Sequence, residues 1–175
     1  IFAKTNGRLK GNIIKFPKIS VGATENSIIA ACLAKGKTVL KNCAIEPEIK
    51  DLTNFLNSAG AKIKWFGRTC KILGTNSLNQ TEYTVMADRI EAGTFCVAAT
   101  LTRGNLEIKD FNFNIIRTEL ELLKKAGAKI KESKNQILIE GPKKIKNIRN
   151  IVTKEYGGFP TDLQPIFMVL LCKAE

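Results

Sequence analysis

Histidine is absent from the 175 residues, and the five cysteines, at positions 32, 43, 70, 96 and 172, include no Cys-x-x-Cys pair. Structural zinc sites are built mainly from cysteine and histidine, and disulfide frameworks usually show an even number of cysteines. The sequence therefore argues against a zinc site and against a disulfide framework. Because histidine is the commonest general base, any acid–base chemistry falls to Asp, Glu, Lys or Arg.

Long apolar segments are also missing. No run approaches the ~20 apolar residues that a membrane-spanning helix needs, and no signal peptide is recognisable. The content of 44% hydrophobic and 25% charged residues is typical of a globular protein, and 175 residues are close to the length of one ordinary domain. We therefore expect a cytoplasmic protein.

Basic residues outnumber acidic ones, 28 to 16, so the net charge is +12. A charge of this sign favours an anionic partner, such as a nucleic acid, a membrane surface or a phosphorylated small molecule. The lysines are, however, scattered along positions expected to face solvent, and the densest basic run, KKIKNIR at 143–149, has no aromatic neighbour on which a base stacks. We therefore expect no nucleic acid and no membrane as partner, and keep a basic nucleic-acid-binding module as an alternative.

The chain contains an internal repeat. FLNSAGAKIK (55–64) matches LLKKAGAKIK (122–131) at an offset of 67 positions, and AACLAKGKTVLKN (30–42) matches AATLTRGNLEIKD (98–110) at an offset of 68. The two segments come in the same order in both copies. Such a repeat predicts one structural unit built twice.

Periodicity within the copies predicts an α/β (α+β) fold of repeated βαβαββ-type units. In copy one we expect a helix over 25–35, capped near Thr24 and ended by Gly36, and a second helix whose apolar face ends at Gly60. Strands are predicted at KTVLKN, AKIKW and CKILG. In copy two the corresponding predictions are helices over 91–103 and about 116–126, with strands at AKIKE and QILIEG.

A third copy is predicted to start at FPTDLQPIFMVLLCKAE (159–175), where Ala34-Lys35 aligns with Ala174-Glu175. Cys32 and Cys172 then share one position, which favours packed thiols over reactive ones. The first residues, IFAKTNGRLKG, are strand-like and begin without methionine. We therefore expect an internal piece of a longer protein.

The start of the first helix differs between the copies, with KISVGATENS (18–27), DRIEAGTF (88–95) and GGFPTDLQ (157–164). A helix N-terminus with unpaired N–H groups attracts anions, Gly22 allows close approach to the backbone, and Lys18 adds a full charge. Taken alone, this stretch is more typical of a simple turn and a cap than of an anion site. Asp162 by itself is likewise more typical of an acidic cap than of a catalytic group. Glu46 and Glu48 flank Pro47 at a predicted helix start, which favours simple capping.

Four segments together, KISVGATENSIIAACLAKG, EPEIKDLTNFLNSAGAKI, DRIEAGTFCVAATLTRG and GGFPTDLQPIFMVLL, closely resemble the middle of the UDP-N-acetylglucosamine enolpyruvyl transferases. The resemblance covers essentially all of the chain. The related shikimate-pathway enolpyruvyl transferases share the fold but lack the SVGATEN segment. The resemblance therefore favours the peptidoglycan branch of this family.

This resemblance implies a two-lobed fold, an inside-out α/β barrel with three repeats in each lobe. Residues 1–87 would be the last repeat of one lobe, and residues 88–175 one complete and one partial repeat of the other. Asp88, Arg89 and Glu91 would lie beside the crossing between the lobes, either as hinge or cleft support or as a local salt bridge and cap.

The resemblance also implies the chemistry. The family adds the 3′-hydroxyl of UDP-N-acetylglucosamine to the enol carbon of phosphoenolpyruvate, and phosphate leaves from a tetrahedral adduct, without a metal or a cofactor. This is the first committed step of peptidoglycan precursor synthesis. Asp162 matches the aspartate that contacts the sugar hydroxyl and is the candidate base, with Thr161 beside it. The segment that holds the diphosphate region matches Lys18, Ile19, Ser20, Val21 and Gly22.

Important family parts lie outside these 175 residues, namely an N-terminal lysine and asparagine, the arginines that bind phosphoenolpyruvate, and a glycine-rich loop with a reactive cysteine. We therefore expect the chain alone to be inactive and the complete protein to be a monomeric enzyme. A non-catalytic remnant of a truncated gene is the alternative.

Overall fold

The structure, a computed structural model, describes Phe2 and residues 4–175. The chain divides into two compact units, residues 1–86 and residues 87–175. The assignment of residues 1–87 and 88–175 to two lobes of a larger fold stays a prediction. In the described part of the chain, no helix combines the length and the apolar character needed to cross a membrane.

The first unit is a four-stranded sheet with two helices. Its elements are β1 (Ile13–Lys15), α1 (Val21–Cys32), β2 (Lys37–Lys41), α2 (Pro47–Ser58), β3 (Lys62–Phe66) and β4 (Thr69–Leu73). The strand order is β1-β2-β4-β3. β1 runs parallel to β2, and β4 is antiparallel to both of its neighbours.

The helices cover one face of this sheet because alternate strand residues are apolar. Leu40 of β2 and Ile72 of β4 are fully buried in one core with Ile28 of α1 and Ile49 of α2. The intervening strand residues point to the opposite face, which is largely exposed.

The second unit repeats the pattern with three strands. Its elements are α3 (Arg89–Leu101), β5 (Asn105–Lys109), a 3-10 helix (Phe113–Ile116), α4 (Arg117–Lys125), β6 (Lys129–Ser133), β7 (Gln136–Glu140), a second 3-10 helix (Thr161–Leu163) and α5 (Gln164–Leu171). The strand order is β5-β7-β6, and all pairs are antiparallel. Ile137 and Ile139 of β7 are buried with Cys96, Leu120 and Phe167 of the three helices.

The predicted fold class and the repeat are confirmed. β2, β3 and β4 recur as β5, β6 and β7 at the offsets found in the sequence. The first helix, however, begins four residues earlier than the predicted 25–35. Ser20 rather than Thr24 is its N-cap, because the Ser20 hydroxyl accepts a hydrogen bond from Ala23 N at 3.3 Å. Thr24 is buried, and its hydroxyl donates to Ser20 O and accepts from Ala44 N.

The prediction of a strand over the first eleven residues is wrong where the structure describes them. Ile1 and Ala3 lie outside the described residues, and the remainder contains only an isolated bridge between Lys10 and Lys35. Gly7 has a φ of 81°, which interrupts an extended backbone. The strand at this edge of the sheet is β1, which begins at Ile13.

The interpretation of Cys32 and Cys172 as equivalent packed thiols is half correct. Cys32 is buried, whereas Cys172 is exposed. α1 packs against β2 and β4, which helps to cover Cys32. No sheet of that kind follows α5 within the described residues, so Cys172 keeps an exposed side.

Candidate functional site

The start of α1 carries the predicted anion-binding segment. Lys18, Ser20 and Gly22 are exposed, and Ile19 and Val21 are half-buried. Apart from the neighbouring residues of its own helix, a Cβ atom added to Gly22 would meet no described atom within 4 Å, so the backbone of this first turn is open to a ligand. The first turn contains no acidic residue. Ala23 N donates to the Ser20 hydroxyl, so the N–H groups of Val21 and Gly22 and the positive end of the helix dipole are the features that could attract an anion.

Three carboxylates lie close to this helix start. Glu25 is on the second turn of α1, and Glu46 and Glu48 are at the beginning of α2. Burial raises the pKa of the Glu25 carboxyl, and the charges of Glu48 and Glu46 raise it further. These carboxylates make the surroundings of the α1 terminus more negative, which opposes the binding of an anion there.

The capping prediction is wrong for Glu46. Pro47 is at the first position of α2, but among the described residues the Glu46 side chain makes no capping hydrogen bond. Glu46 is buried, and its Oε2 atom has no hydrogen-bond partner in the part of the chain that the structure describes. Glu48 lies in the first turn of α2, where a negative charge interacts favourably with the helix dipole.

Asp162 lies in the 3-10 helix that leads into α5. Thr161 and Asp162 are exposed, and the next residue, Leu163, is fully buried. Leu163 takes the N-cap position of α5, with no side-chain capping bond at that helix start. The interpretation of Asp162 as an acidic helix cap is therefore wrong. Within the described residues its carboxylate receives no hydrogen bond, so both oxygens are free to accept one from a substrate.

The position of the turn at 161–163 is fixed by the packing of buried side chains. A Cβ atom built on Gly93 of α3 would lie 2.6 Å from Leu163 Cδ1, so any side chain at position 93 would require the Leu163 side chain to shift. Just before the turn, the ring of Phe159 packs edge-on against Phe167 of α5, with 4.9 Å between ring centroids. Exposed Asp162 thus lies between two buried side chains, Phe159 before it and Leu163 after it, which hold the turn in place.

The start of α3 is close to the same loop. Asp88 is the N-cap of α3, and its Oδ1 accepts hydrogen bonds from Ile90 N at 2.7 Å and Glu91 N at 3.3 Å. Arg89 is buried, and its guanidinium lies 5.8 Å from the centre of the Tyr156 ring. The predicted cap is confirmed for Asp88. The hinge role of Asp88, Arg89 and Glu91 stays a prediction.

Glu119 of α4 is a buried residue that the sequence analysis missed. Burial raises the pKa of the Glu119 carboxyl, and a backbone hydrogen bond and the charge of Arg89 oppose that rise. Glu119 lies on the buried face of α4 with Ile116, Leu120 and Leu123. In the sequence, a carboxylate at the helical spacing of the apolar residues Ile116, Leu120 and Leu123 is the signal that would have revealed Glu119 as buried.

The structure thus brings some of the predicted residues together. Within the second unit, α3 contacts the 3-10 helix that carries Thr161 and Asp162, and Arg89 lies near Tyr156 of the preceding loop. A groove with a cavity volume of about 440 Å³ opens beside Asp88 and Glu91. Lys18 to Gly22 belong to the first unit. Their placement opposite Asp162 across a cleft stays a prediction.

Comparison with known sequences identifies related proteins. The family model for EPSP synthase (3-phosphoshikimate 1-carboxyvinyltransferase) matches residues 2–175. A UDP-N-acetylglucosamine 1-carboxyvinyltransferase of Pelagibacter ubique is 65% identical over 167 residues, which are 95% of this chain and 40% of the relative. A UDP-N-acetylglucosamine 1-carboxyvinyltransferase of Legionella pneumophila is 45% identical over 98% of this chain and 34% of its own length. The chain therefore spans less than half the length of these curated relatives.

Solved structures agree on the fold. The enolpyruvyl transferase NikO from Streptomyces tendae matches with a TM-score of 0.82 and 22% identity, over 98% of this chain and 44% of its own. An EPSP synthase from Acinetobacter baumannii matches with a TM-score of 0.57 and 22% identity, over 81% of this chain and 34% of its own. At this identity the likeness concerns the fold alone.

Proposed function

Because the chain belongs to the EPSP synthase family, we propose that the complete protein is an enolpyruvyl transferase acting on UDP-N-acetylglucosamine. The observation that carries the choice of substrate is the 65% identity to a relative named for it. The SVGATEN segment at 20–26 supports the same choice, because it resembles the UDP-N-acetylglucosamine branch and not the shikimate branch of the family.

In the proposed reaction the 3′-hydroxyl oxygen of the sugar bonds to the enol carbon of phosphoenolpyruvate. The hydroxyl loses its proton to a base, and the methylene carbon of phosphoenolpyruvate gains one. Phosphate then leaves from the tetrahedral adduct, and loss of a proton from the methyl group restores the double bond. The product is the enolpyruvyl ether of the UDP-sugar, which enters peptidoglycan precursor synthesis.

Asp162 is the proposed base for the sugar hydroxyl. An alcohol is a weak nucleophile until its proton is taken in the transition state, a step worth about 10²- to 10⁴-fold in rate. The exposed carboxylate, free of internal hydrogen bonds, supports this role. Thr161 is also exposed, and its proposed role is to contact the same substrate group.

The α1 terminus is the proposed site for the diphosphate of the nucleotide sugar. Lys18 supplies a full positive charge, and the open backbone at Gly22 lets a phosphate oxygen approach the N–H groups of the first turn. Ile19, Ser20 and Val21 complete the segment, with Ser20 fixing the helix start through its cap. The nearby carboxylates make Lys18 important, since without it the local charge disfavours an anion.

The test is Asp162→Asn in the complete protein, measured by phosphate release at saturating substrates. We expect the turnover number to fall at least tenfold, because an amide cannot accept the proton. Asp110→Asn is the matched control. It makes the same chemical change at an exposed position of the same unit, where the positive φ of 56° suits asparagine. A fall of less than tenfold for Asp162→Asn, or an equal fall in both variants, would reject Asp162 as the base.

A further inference from the structure

The exposed face of the first sheet gathers lysines from all four strands. Residues two apart on a strand point to the same face of the sheet, and directly opposite residues on neighbouring strands share that face. The cross-strand pairs therefore identify the residues of the exposed face. None of the residues in these four strands is acidic. Six lysines lie on this face, which we call the lysine face: Lys15, Lys37, Lys41, Lys62, Lys64 and Lys71.

Two pairs of these lysines are direct cross-strand partners. Lys15 of β1 is opposite Lys41 of β2, and Lys64 of β3 is opposite Lys71 of β4. Like charges directly opposite one another destabilise a sheet. In the described part of the chain, none of the six lysines lies within salt-bridge distance of a carboxylate. The arrangement therefore carries a cost that an external anion would remove.

The second sheet provides an internal comparison, because it is the same unit repeated. Its exposed face carries carboxylates among its lysines. Lys109 Nζ lies 3.2 Å from Glu107 Oε2, and Lys129 Nζ lies 2.9 Å from Glu140 Oε1. The unbalanced charge is thus a property of the first sheet and not of every strand in this lysine-rich chain.

We propose that the lysine face docks on an anionic lipid surface. Apolar side chains lie exposed among the lysines, with Ile13 65%, Phe66 57% and Leu73 49% accessible. Basic side chains mixed with exposed apolar ones suit the boundary between charged headgroups and acyl chains. A groove with a cavity volume of about 620 Å³ at the β3 and β4 side of the face adds an apolar recess.

The same features disfavour a nucleic acid as the partner. The strands of the lysine face contain no arginine, the residue that best forms paired contacts with phosphate and bases. Lys71 Nζ lies 4.4 Å from the centre of the Phe66 ring, so one face of that ring is already covered and not open to a base.

Docking on a surface needs no spanning helix, and it does not depend on the proposed reaction. It departs from the expectation of no membrane partner, which rested on the scattered positions of the lysines along the sequence. The strand order β1-β2-β4-β3 brings these lysines together on one face of the sheet.

The test compares two double variants of the complete protein. Lys62→Gln/Lys64→Gln changes the lysine face, and Lys129→Gln/Lys131→Gln changes the equivalent positions of β6 on the second sheet. Both remove the same charge. Binding is measured by co-sedimentation with vesicles of 70% phosphatidylcholine and 30% phosphatidylserine, and with pure phosphatidylcholine vesicles, at 0.1 M and 0.5 M salt.

We expect binding to the anionic vesicles only, weakened at 0.5 M salt where charges are screened within a few ångströms. Each lysine near such a surface contributes about fivefold in partitioning, so the first variant should bind about 25-fold more weakly and the second less than threefold. No binding of the wild type to the anionic vesicles, or equal losses in both variants, would overturn the proposal. Duplex DNA binding with this lysine dependence and no vesicle binding would also overturn it.

The Lys64→Glu variant distinguishes a loss of docking from a loss of folding. It places a carboxylate opposite Lys71, so the thermal unfolding temperature should stay the same or rise. Vesicle binding should nevertheless fall by more than tenfold. Retained binding in this well-folded variant would contradict the proposal.

Discussion

The five cysteines differ in what surrounds each sulfur atom. Four are buried, and Cys172 is exposed. Burial raises the pKa of the Cys70 and Cys96 thiols to about 12, and it also raises the pKa of Cys32 and Cys43. Because the thiolate is the reactive form, burial and a raised pKa both protect these four residues.

In the 175-residue chain at pH 8, we expect the anionic disulfide reagent DTNB to react quickly with one thiol only. Cys172 lines a cavity with Lys143, Lys144 and Lys173, and these lysines attract an anionic reagent. Absorbance at saturation should count one thiol before and five after unfolding in guanidinium. Cys172→Ser should remove the fast reaction, and two or more fast thiols in the native chain would contradict this assignment.

At the scale of elements, the contact between α3 and the 161–163 turn decides where Asp162 lies. Gly93 is buried in α3, and its missing side chain is the space that Leu163 occupies. Leu163 is itself fully buried, so it has little room to move. A glycine inside a helix costs about 1 kcal/mol relative to alanine, and here close packing is the reason for it.

We therefore expect Gly93→Val to destabilise the protein by about 2 kcal/mol, because the added atoms overlap Leu163. The measurement is urea-induced unfolding of the 175-residue chain. Gly22→Val is the control for stability, since a Cβ atom at Gly22 meets nothing within 4 Å, and it should change the free energy of unfolding by less than about 0.5 kcal/mol.

A second substitution tests the stated contact. Leu163→Ala destabilises alone by leaving a cavity, but combined with Gly93→Val it should restore at least about 1 kcal/mol relative to the sum of the two effects. Simple additivity of the two changes would show that Gly93 is required for another reason.

The elements were largely predictable from the sequence, and their partners were not. The alternation in KTVLK and the matching of FLNSAGAKIK with LLKKAGAKIK are local or repeated signals, so strands, helices and repeat followed from them. The parallel pairing of Lys15 with Lys41 and the approach of Arg89 to Tyr156 join residues that are far apart in the sequence. No local pattern encodes such contacts.

At the scale of the whole molecule, the residues proposed to form the site are far apart in the sequence. The proposed base Asp162 and the proposed diphosphate segment at 18–22 lie in different units. The role of Asp162 came from the family resemblance, since its neighbours alone are typical of a helix start. The structure added that its carboxylate is exposed and makes no capping bond.

A chain of these 175 residues alone is expected to fold but not to turn over substrate. Each unit has its own buried core, so cooperative thermal unfolding should be observed.

The chain spans 40% of the 65% identical relative, and the resemblance places the groups that bind phosphoenolpyruvate outside it. A base without the second substrate in position contributes little, because proximity and orientation are lost. Phosphate release from phosphoenolpyruvate and UDP-N-acetylglucosamine should therefore stay at the level of a no-enzyme blank, while the complete protein is active in the same assay. Turnover by the 175-residue chain that disappears with Asp162→Asn would show instead that these residues suffice for catalysis.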